Sequence, residues 1–200
     1  MMHLRIVLAA LPVVVGLAAG CSTPPPSRFY TLAGTATATY TSEPQPSTLV
    51  IAVGPVTVPS VVDRPEFVVS TGPNEVRLDD FNRWASPLQD GLSRAIAENL
   101  VAILGTPRVV RFPQTLATEP DYRVAVEVRT FESTPGKSTA LDAVWTVRRA
   151  KDGRMSTGRT SARETVPESG YDALAAAHSR AVARLSEDIA NATLALHGTR

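Results

Sequence analysis

The stretch DYRVAVEVRTF puts Tyr122, Val124, Val126 and Val128 at alternate positions, with Arg123, Glu127 and Arg129 among the residues between them. STALDAVWTVRR repeats the arrangement, with Leu141, Ala143, Trp145 and Val147 opposite Asp142, Thr146 and Arg148. A period of two sends each set to its own face of a strand, and the linking STPGKS supplies the Pro and Gly of a reversal. The pair predicts an antiparallel hairpin with one dry and one wet face. A dry face has to be covered, and this requirement governs the rest of the chain.

Two segments have the period of 3.6 that such a cover needs. In SPLQDGLSRAIAENLVAILG, Leu88, Leu92, Ile96, Leu100 and Ile103 fall on one stripe, with Asp90, Arg94 and Glu98 largely off it. Ser86 is placed to cap this helix, Pro87 suits its first turn, Gln89 completes a capping box and Gly105 suits its stop. In SGYDALAAAHSRAVARLSEDIANATLALHG the stripe is Tyr171, Leu174, His178, Ala181, Leu185, Ile189 and Leu196, and Ser169 with Asp172 forms a second capping box. Further strands are expected in RFYTL, in LVIAVGPVTVP, broken by Gly54 and Pro55, and in PRVVRF. EFVVSTG and EVRLD read as a hairpin around Gly72-Pro73-Asn74, and RMSTGRTSARETV as a polar strand suited to a sheet edge. The expected fold is α+β: a two-layer sandwich of a mostly antiparallel sheet covered on one face by two helices.

The N-terminus is organised differently. Arg5 precedes the uncharged run IVLAALPVVVGLAAG, which is short of the roughly 20 apolar residues of a membrane span and is interrupted by Pro12. A basic start, a short apolar run and small residues are the pattern of a signal peptide. The chain's single cysteine, Cys21, stands immediately after it and just before Pro24, Pro25 and Pro26. A buried thiol or a nucleophile is not expected at such a boundary. AAGC resembles the lipobox of bacterial lipoproteins, with Ala18 where Leu is usual and Leu17 one place further back. The resemblance implies removal of residues 1–20 and diacylglyceryl attachment at Cys21. Ser22 in place of Asp implies export to the outer membrane, on its periplasmic face. The expected organisation is therefore a signal peptide at 1–20, a lipidated tether and linker at 21–47, and one periplasmic α+β domain at 48–200.

Loss of Arg5 with the signal takes the formal charge from +1 to zero, so nothing attracts nucleic acid. With Cys21 acylated no disulfide is available, and a domain of this size must rest on its core. The chemistry of catalysis is sparse. The sequence contains no phosphate-cradling glycine loop, no His-Glu-x-x-His and no Gly-x-Ser-x-Gly elbow. His178 lies on an apolar helix face, where a satisfied, partly buried histidine is expected, and His197 is near the chain end. Asp79 and Asp80 read as a solvated turn rather than a metal site. No catalytic residue, metal site or cofactor is expected.

Three motifs remain. Cys21-Ser22 with Pro24, Pro25, Tyr30 and Leu32 comes first, Asp63-Arg64-Pro65 second, and Arg83-Trp84-Ala85 with Pro87 and Leu88 third. In this order they resemble the ABC-type transport auxiliary lipoprotein family, that of PqiC-like outer-membrane lipoproteins, with Val62 in place of the usual Leu. The resemblance implies a non-catalytic partner of an MCE-type phospholipid transport system, with an MCE-domain periplasmic protein and an ABC permease as partners and a ring-like homo-oligomer as the assembly. An independent periplasmic lipid-binding carrier and an envelope hydrolase are the alternatives. For the motif residues themselves a packing role is expected ahead of partner contact. Pro65 would stiffen a turn, Arg64 bind a carboxylate or carbonyls, and Trp84 close the core beside the first helix.

Overall fold

A computed structural model describes residues 25–36, 48–112 and 119–198. The expected hairpin is present as β6 (Tyr122–Thr134) and β7 (Ser138–Arg149), which pair antiparallel, and β8 (Met155–Thr165) follows on the outer side of β7. Tyr122, Val124, Val126, Val128, Leu141, Ala143 and Val147 are at most 4% exposed, so the alternation read from sequence is the alternation of burial. A register shift between Val128 and Thr130 lets Phe131 and Ser133 continue the inward row. Trp145 lies flat across β8: a Cβ on Gly158 would come within 2.2 Å of its ring, and its indole N–H donates to Thr160 Oγ1 at 3.0 Å. The polar strand expected at an edge is β8, which closes one side of the sheet.

The other side corrects the expected strand direction. β2 (Ile51–Thr57) runs parallel to β6, and β5 (Val109–Arg111) runs parallel to β2, giving the order β5-β2-β6-β7-β8. Two of the four pairings are parallel, so the sheet is mixed. Ile51, Ala52 and Val53 are all buried, the double-sided burial that parallel strands carry. Gly54 and Pro55 do not end β2; they are absorbed in a register shift between Val53 and Val56.

A second sheet takes the order β1-β4-β3. β3 (Glu66–Gly72) and β4 (Glu75–Trp84) are the expected hairpin, but β4 runs on through Asp79 and Asp80 to Trp84. That extension gives β1 (Arg28–Tyr30) its parallel partner, with Phe29 opposite Arg83 and Tyr30 opposite Trp84.

Both helices cover the inner face. α1 (Leu88–Leu104) lies over β2 and β5, and α2 (Tyr171–Gly198) over β7 and β8, with the two helices in contact. Leu88, Leu92, Ile96, Leu100 and Leu104 are at most 1% exposed, whereas Ile103 is only half-buried. On α2, Leu174, His178, Ala181, Leu185 and Ile189 are buried as expected, and the buried band is wider because α1, the sheet and the N-terminal segment all press on it. The capping box expected at α1 does not form. The helix begins one residue later than expected, with Pro87 at the N-cap position; proline offers neither a side-chain acceptor nor an N–H, and the Gln89 amide donates to Asp63 Oδ2 at 3.1 Å. The expected stop holds: Gly105 is left-handed, and its N–H donates to Val101 O.

Candidate functional site

The motif residues that the structure describes meet at one corner of the fold. The turn after β2 is closed by Val62 N–H and Asp63 N–H donating to Pro59 O, which buries Val62. Pro65 O then accepts from Trp84 N–H at 2.8 Å, and Ala85 N–H donates to Tyr30 O at 2.8 Å. The end of β4 thus joins the Asp63-Arg64-Pro65 turn to the strand that carries Tyr30. Alternation along β4 divides the Arg83-Trp84 pair between two faces. Arg83 points outward, donating to Glu66 Oε1 at 3.0 Å and to Asp80 O at 3.1 Å. Trp84 points inward, stacked on Phe67 at 4.4 Å between ring centroids and edge-on to Phe131.

Trp84 is 7% exposed at the start of α1, where the sequence reading places it. Arg64 differs from expectation. Its Nε is buried without a hydrogen-bond partner, and the carboxylates nearest to it in sequence bond elsewhere, Asp63 with Gln89 and Glu66 with Arg83. Cys21 and Ser22, with the expected signal peptide and most of the linker, lie outside the described residues.

Asp79 is the hub that sequence reasoning missed. Its Oδ1 accepts from the N–H of Phe81 and of Asn82 and from Asn82 Nδ2, each at 3.0 Å. Its Oδ2 accepts from Tyr171 O–H at 2.6 Å and from Arg77 at 3.3 Å. Asn82 in turn accepts from Tyr30 O–H at 2.8 Å. Burial alone would raise the Asp79 pKa, but the bonds from Tyr171, Asn82 and the two backbone N–H groups outweigh it and hold it at about 2. One ionised carboxylate therefore ties β1, β4 and the start of α2 together. Asp-x-x-Asn, a turn-forming spacing inside a strand pattern, was the available signal.

Beyond β1 the chain crosses between the helices. Leu32 is buried and its carbonyl accepts from Arg94. Ala33 N–H donates to Ser179 Oγ, Gly34 N–H to Glu98 Oε2, and Ala36 N–H to Asn99 Oδ1 at 2.9 Å. Buried Asn99 and Ser179 interrupt the apolar stripes in order to hold this strap. Beside it, an open groove of about 850 Å³ runs along α2 over Ala175, Ala176 and Ala183, rimmed by Glu164, Arg180 and Arg184. Charged walls suit water or a polar chain better than an acyl chain.

Of the two histidines in the domain, His178 is completely buried, more deeply than expected. Its Nε2 meets Ser133 Oγ at 2.8 Å, its ring stacks on Phe131 at 3.8 Å, and its Nδ1 has no partner. Desolvation pushes its pKa down to about 3. Ser133 is 2% exposed and no carboxylate orients the ring, so this hydroxyl–imidazole contact lacks both substrate access and the third member of a triad. His197 meets Tyr122 O–H at the end of α2. Among the described residues, no three His, Cys, Asp or Glu side chains converge as a metal site.

The model of the ABC-type transport auxiliary lipoprotein component family matches residues 30–190. Among solved structures, the fold is similar to that of an uncharacterized protein, at 20% identity and a TM-score of 0.67, covering 84% of this chain and 98% of the other. It is also similar to protein XCC0632 from Xanthomonas campestris, at 20% identity and a TM-score of 0.66, covering 82% and 93%. No curated protein matches. The matched span begins at Tyr30, the last residue of β1.

Proposed function

This chain belongs to the ABC-type transport auxiliary lipoprotein component family, and we propose that it is a lipid-anchored, non-catalytic docking subunit of an MCE-type system moving phospholipid across the envelope. The observation that carries the proposal is the family match from 30 to 190, which runs from the end of β1 through nearly all of α2. In this reading Cys21 is acylated after removal of residues 1–20, and the protein sits on the periplasmic face of the outer membrane. Two or three acyl chains, each contributing about 0.8 kcal/mol per buried CH₂, give stable attachment.

The way the N-terminal segment is held supports a load-bearing tether. Three parallel pairs to β4, the Tyr30 bond to Asn82 and the strap between the helices join residues 28–36 to the core. A docking subunit held at a membrane needs such a fixed joint, whereas a diffusing carrier does not. Asp63, Pro65, Arg83 and Trp84 act in this reading as parts of the joint, Arg83 from its outward side through Glu66. A ring-like homo-oligomer fits the wet face of the larger sheet, where Arg123–Glu119, Arg129–Glu127 and Arg159–Asp142 mix charges of both signs. Exposed pairs contribute about 0–1 kcal/mol each, so association rests on area and on the raised local concentration that tethering gives.

Co-purification of the anchored protein with the MCE-domain protein and permease of the same organism tests the proposal. Retention of both supports the docking role. A protein that never retains either partner, yet carries phospholipid between vesicles by itself, overturns it in favour of the independent carrier.

A further inference from the structure

The two sheets differ on their outward faces. The larger one carries ion pairs, with an apolar groove at one side lined by Phe112, Ala125 and Met155, and the three-stranded one carries more of the exposed apolar side chains. Tyr30 and Trp84 point inward, so Phe29 and Arg83, opposite each other in the β1–β4 register, share the outward face. On the β3–β4 side Phe67, Val68 and Val69 are all buried, Val68 least, at 9%; Leu78, paired with Val68, and Val76, paired with Ser70, lie by alternation on the outward side, along β4. Phe29 is 63% exposed, Val76 49% and Leu78 41%, and Phe81, on the same strand β4, is 40% exposed. Four of the eight large apolar residues exposed among the described residues therefore belong to two neighbouring strands. Apolar residues gathered in this way mark a contact surface, whereas isolated ones do not. The charges within the face are largely self-neutralised, since Arg83 is paired with Glu66.

We infer that this outward face of the three-stranded sheet rests on the lipid bilayer, with Phe29, Val76, Leu78 and Phe81 at the headgroup–acyl boundary. The inference rests on the reading that Cys21 carries the anchor. Given that anchor, geometry selects the occupant. Six residues lie between Cys21 and Arg28, and the seven steps, at 3.3–3.6 Å each, span roughly 25 Å at most. The leash ends on β1, which is an edge strand of this sheet, so the sheet is the part of the domain that the membrane anchor holds nearest. Arg28, exposed at the point where the leash joins, suits the headgroup layer beside Phe29. Lying on the bilayer in this way would fix the orientation of the domain and turn the wet face of the larger sheet toward neighbouring copies and partners.

The experiment uses the full acylated chain in vesicles of phosphatidylethanolamine and phosphatidylglycerol, with and without lipids carrying a nitroxide near the headgroup. Phe29→Trp and Met155→Trp are compared after subtraction of the wild-type emission of Trp84 and Trp145; Met155, 65% exposed on β8 of the other sheet, is the reference. The expected result is that the lipid nitroxide quenches the Phe29→Trp signal several-fold more strongly than the Met155→Trp signal. Equal quenching at both positions, in protein that floats with the vesicles, overturns the inference. So does a Phe29→Trp signal shielded from aqueous iodide but untouched by the lipid quencher, which would assign the face to a protein contact. Flotation and the mass of the N-terminal peptide report acylation separately. A chain that does not float and carries no acyl mass refutes the anchor, and the inference fails with it, whereas an acylated, floating chain with an unquenched Phe29→Trp signal refutes the inference alone.

Discussion

His178 makes the stability of this fold sensitive to mild acid. In the folded domain its imidazole is sealed against Phe131 and Ser133, and desolvation lowers its pKa to about 3 from an ordinary value of 6.5. The sign follows from proton counting. Between pH 6.5 and 3 the unfolded chain binds a proton here that the folded chain refuses, so stability falls as pH falls through that window. At 1.36 kcal/mol per unit, lowering the pH from 7.5 to 5.0 removes about 2 kcal/mol. Asp79, held at about 2, has an ordinary carboxylate value unfolded; its contribution is lost only as pH falls from about 3.9 toward 2, leaving the interval down to pH 5 to the histidine. Urea unfolding of the Cys21→Ser chain at the two pH values measures the difference, with His178→Gln in parallel. The wild type should lose about 2 kcal/mol with an unchanged m value, and the glutamine variant, less stable at pH 7.5, should be nearly flat. A variant that loses as much as the wild type would refute the assignment of the acid sensitivity to His178.

Four further outcomes follow from the same geometry. Trp84→Ala should cost about 3–5 kcal/mol, read as a drop in melting temperature; an unchanged melting temperature with lost transport would instead make Trp84 a contact residue. Asp79→Ala leaves the N–H groups of Phe81 and Asn82 and the hydroxyl of Tyr171 without their acceptor, and should destabilise by about 1–3 kcal/mol; because it unties β1, amide exchange at Phe29 and Tyr30 should quicken more than in β7. Gly158→Ala forces the Trp145 ring off β8 and should lower the melting temperature and shift the indole emission. Cys21→Ser should abolish palmitate labelling and membrane retention while leaving the circular dichroism of the domain unchanged.

What the sequence made legible is what periodicity encodes. The alternation in β6 and β7 and the stripes of α1 and α2 each state which side of an element is dry, and burial follows them except at Ile103, Tyr171 and Leu196, toward the helix ends, which are half-buried. Strand direction is not encoded in a period of two. The Ile51–Val53 run was apolar on both faces, which is the mark of a strand covered on both sides, and weighing that over the hairpin signals elsewhere would have favoured a parallel neighbour for β2. The missed cap at α1 is of another kind. Ser86 and Gln89 satisfy a local rule, but the helix begins with Pro87 at its N-cap, one residue beyond Ser86, which takes Gln89 out of the third helical position and leaves its amide for Asp63.

The joint around Trp84 was half legible for a related reason. Tyr30, Asp63-Arg64-Pro65 and Arg83-Trp84 stood out as motifs, yet no spacing in a single sequence says that stretches tens of residues apart share hydrogen bonds. Pro65 O with Trp84 N–H and Tyr30 O with Ala85 N–H are backbone contacts, indifferent to side-chain identity, so composition could not announce them. Asp79 was misread because an acid next to an acid in a polar run looks solvated, and its true partners, Tyr30 through Asn82 and Tyr171 directly, come from opposite ends of the chain. These partners connect the first strand after the proposed anchor, the strand that carries Arg83 and the helix that closes the domain. A carboxylate that satisfies five donors at one point resists being pulled out of place far better than five separate surface bonds would, since releasing it exposes all five donors at once. For the docking role proposed above, stiffness where β1 joins the domain is the property that matters, and the five bonds to Asp79 supply it there.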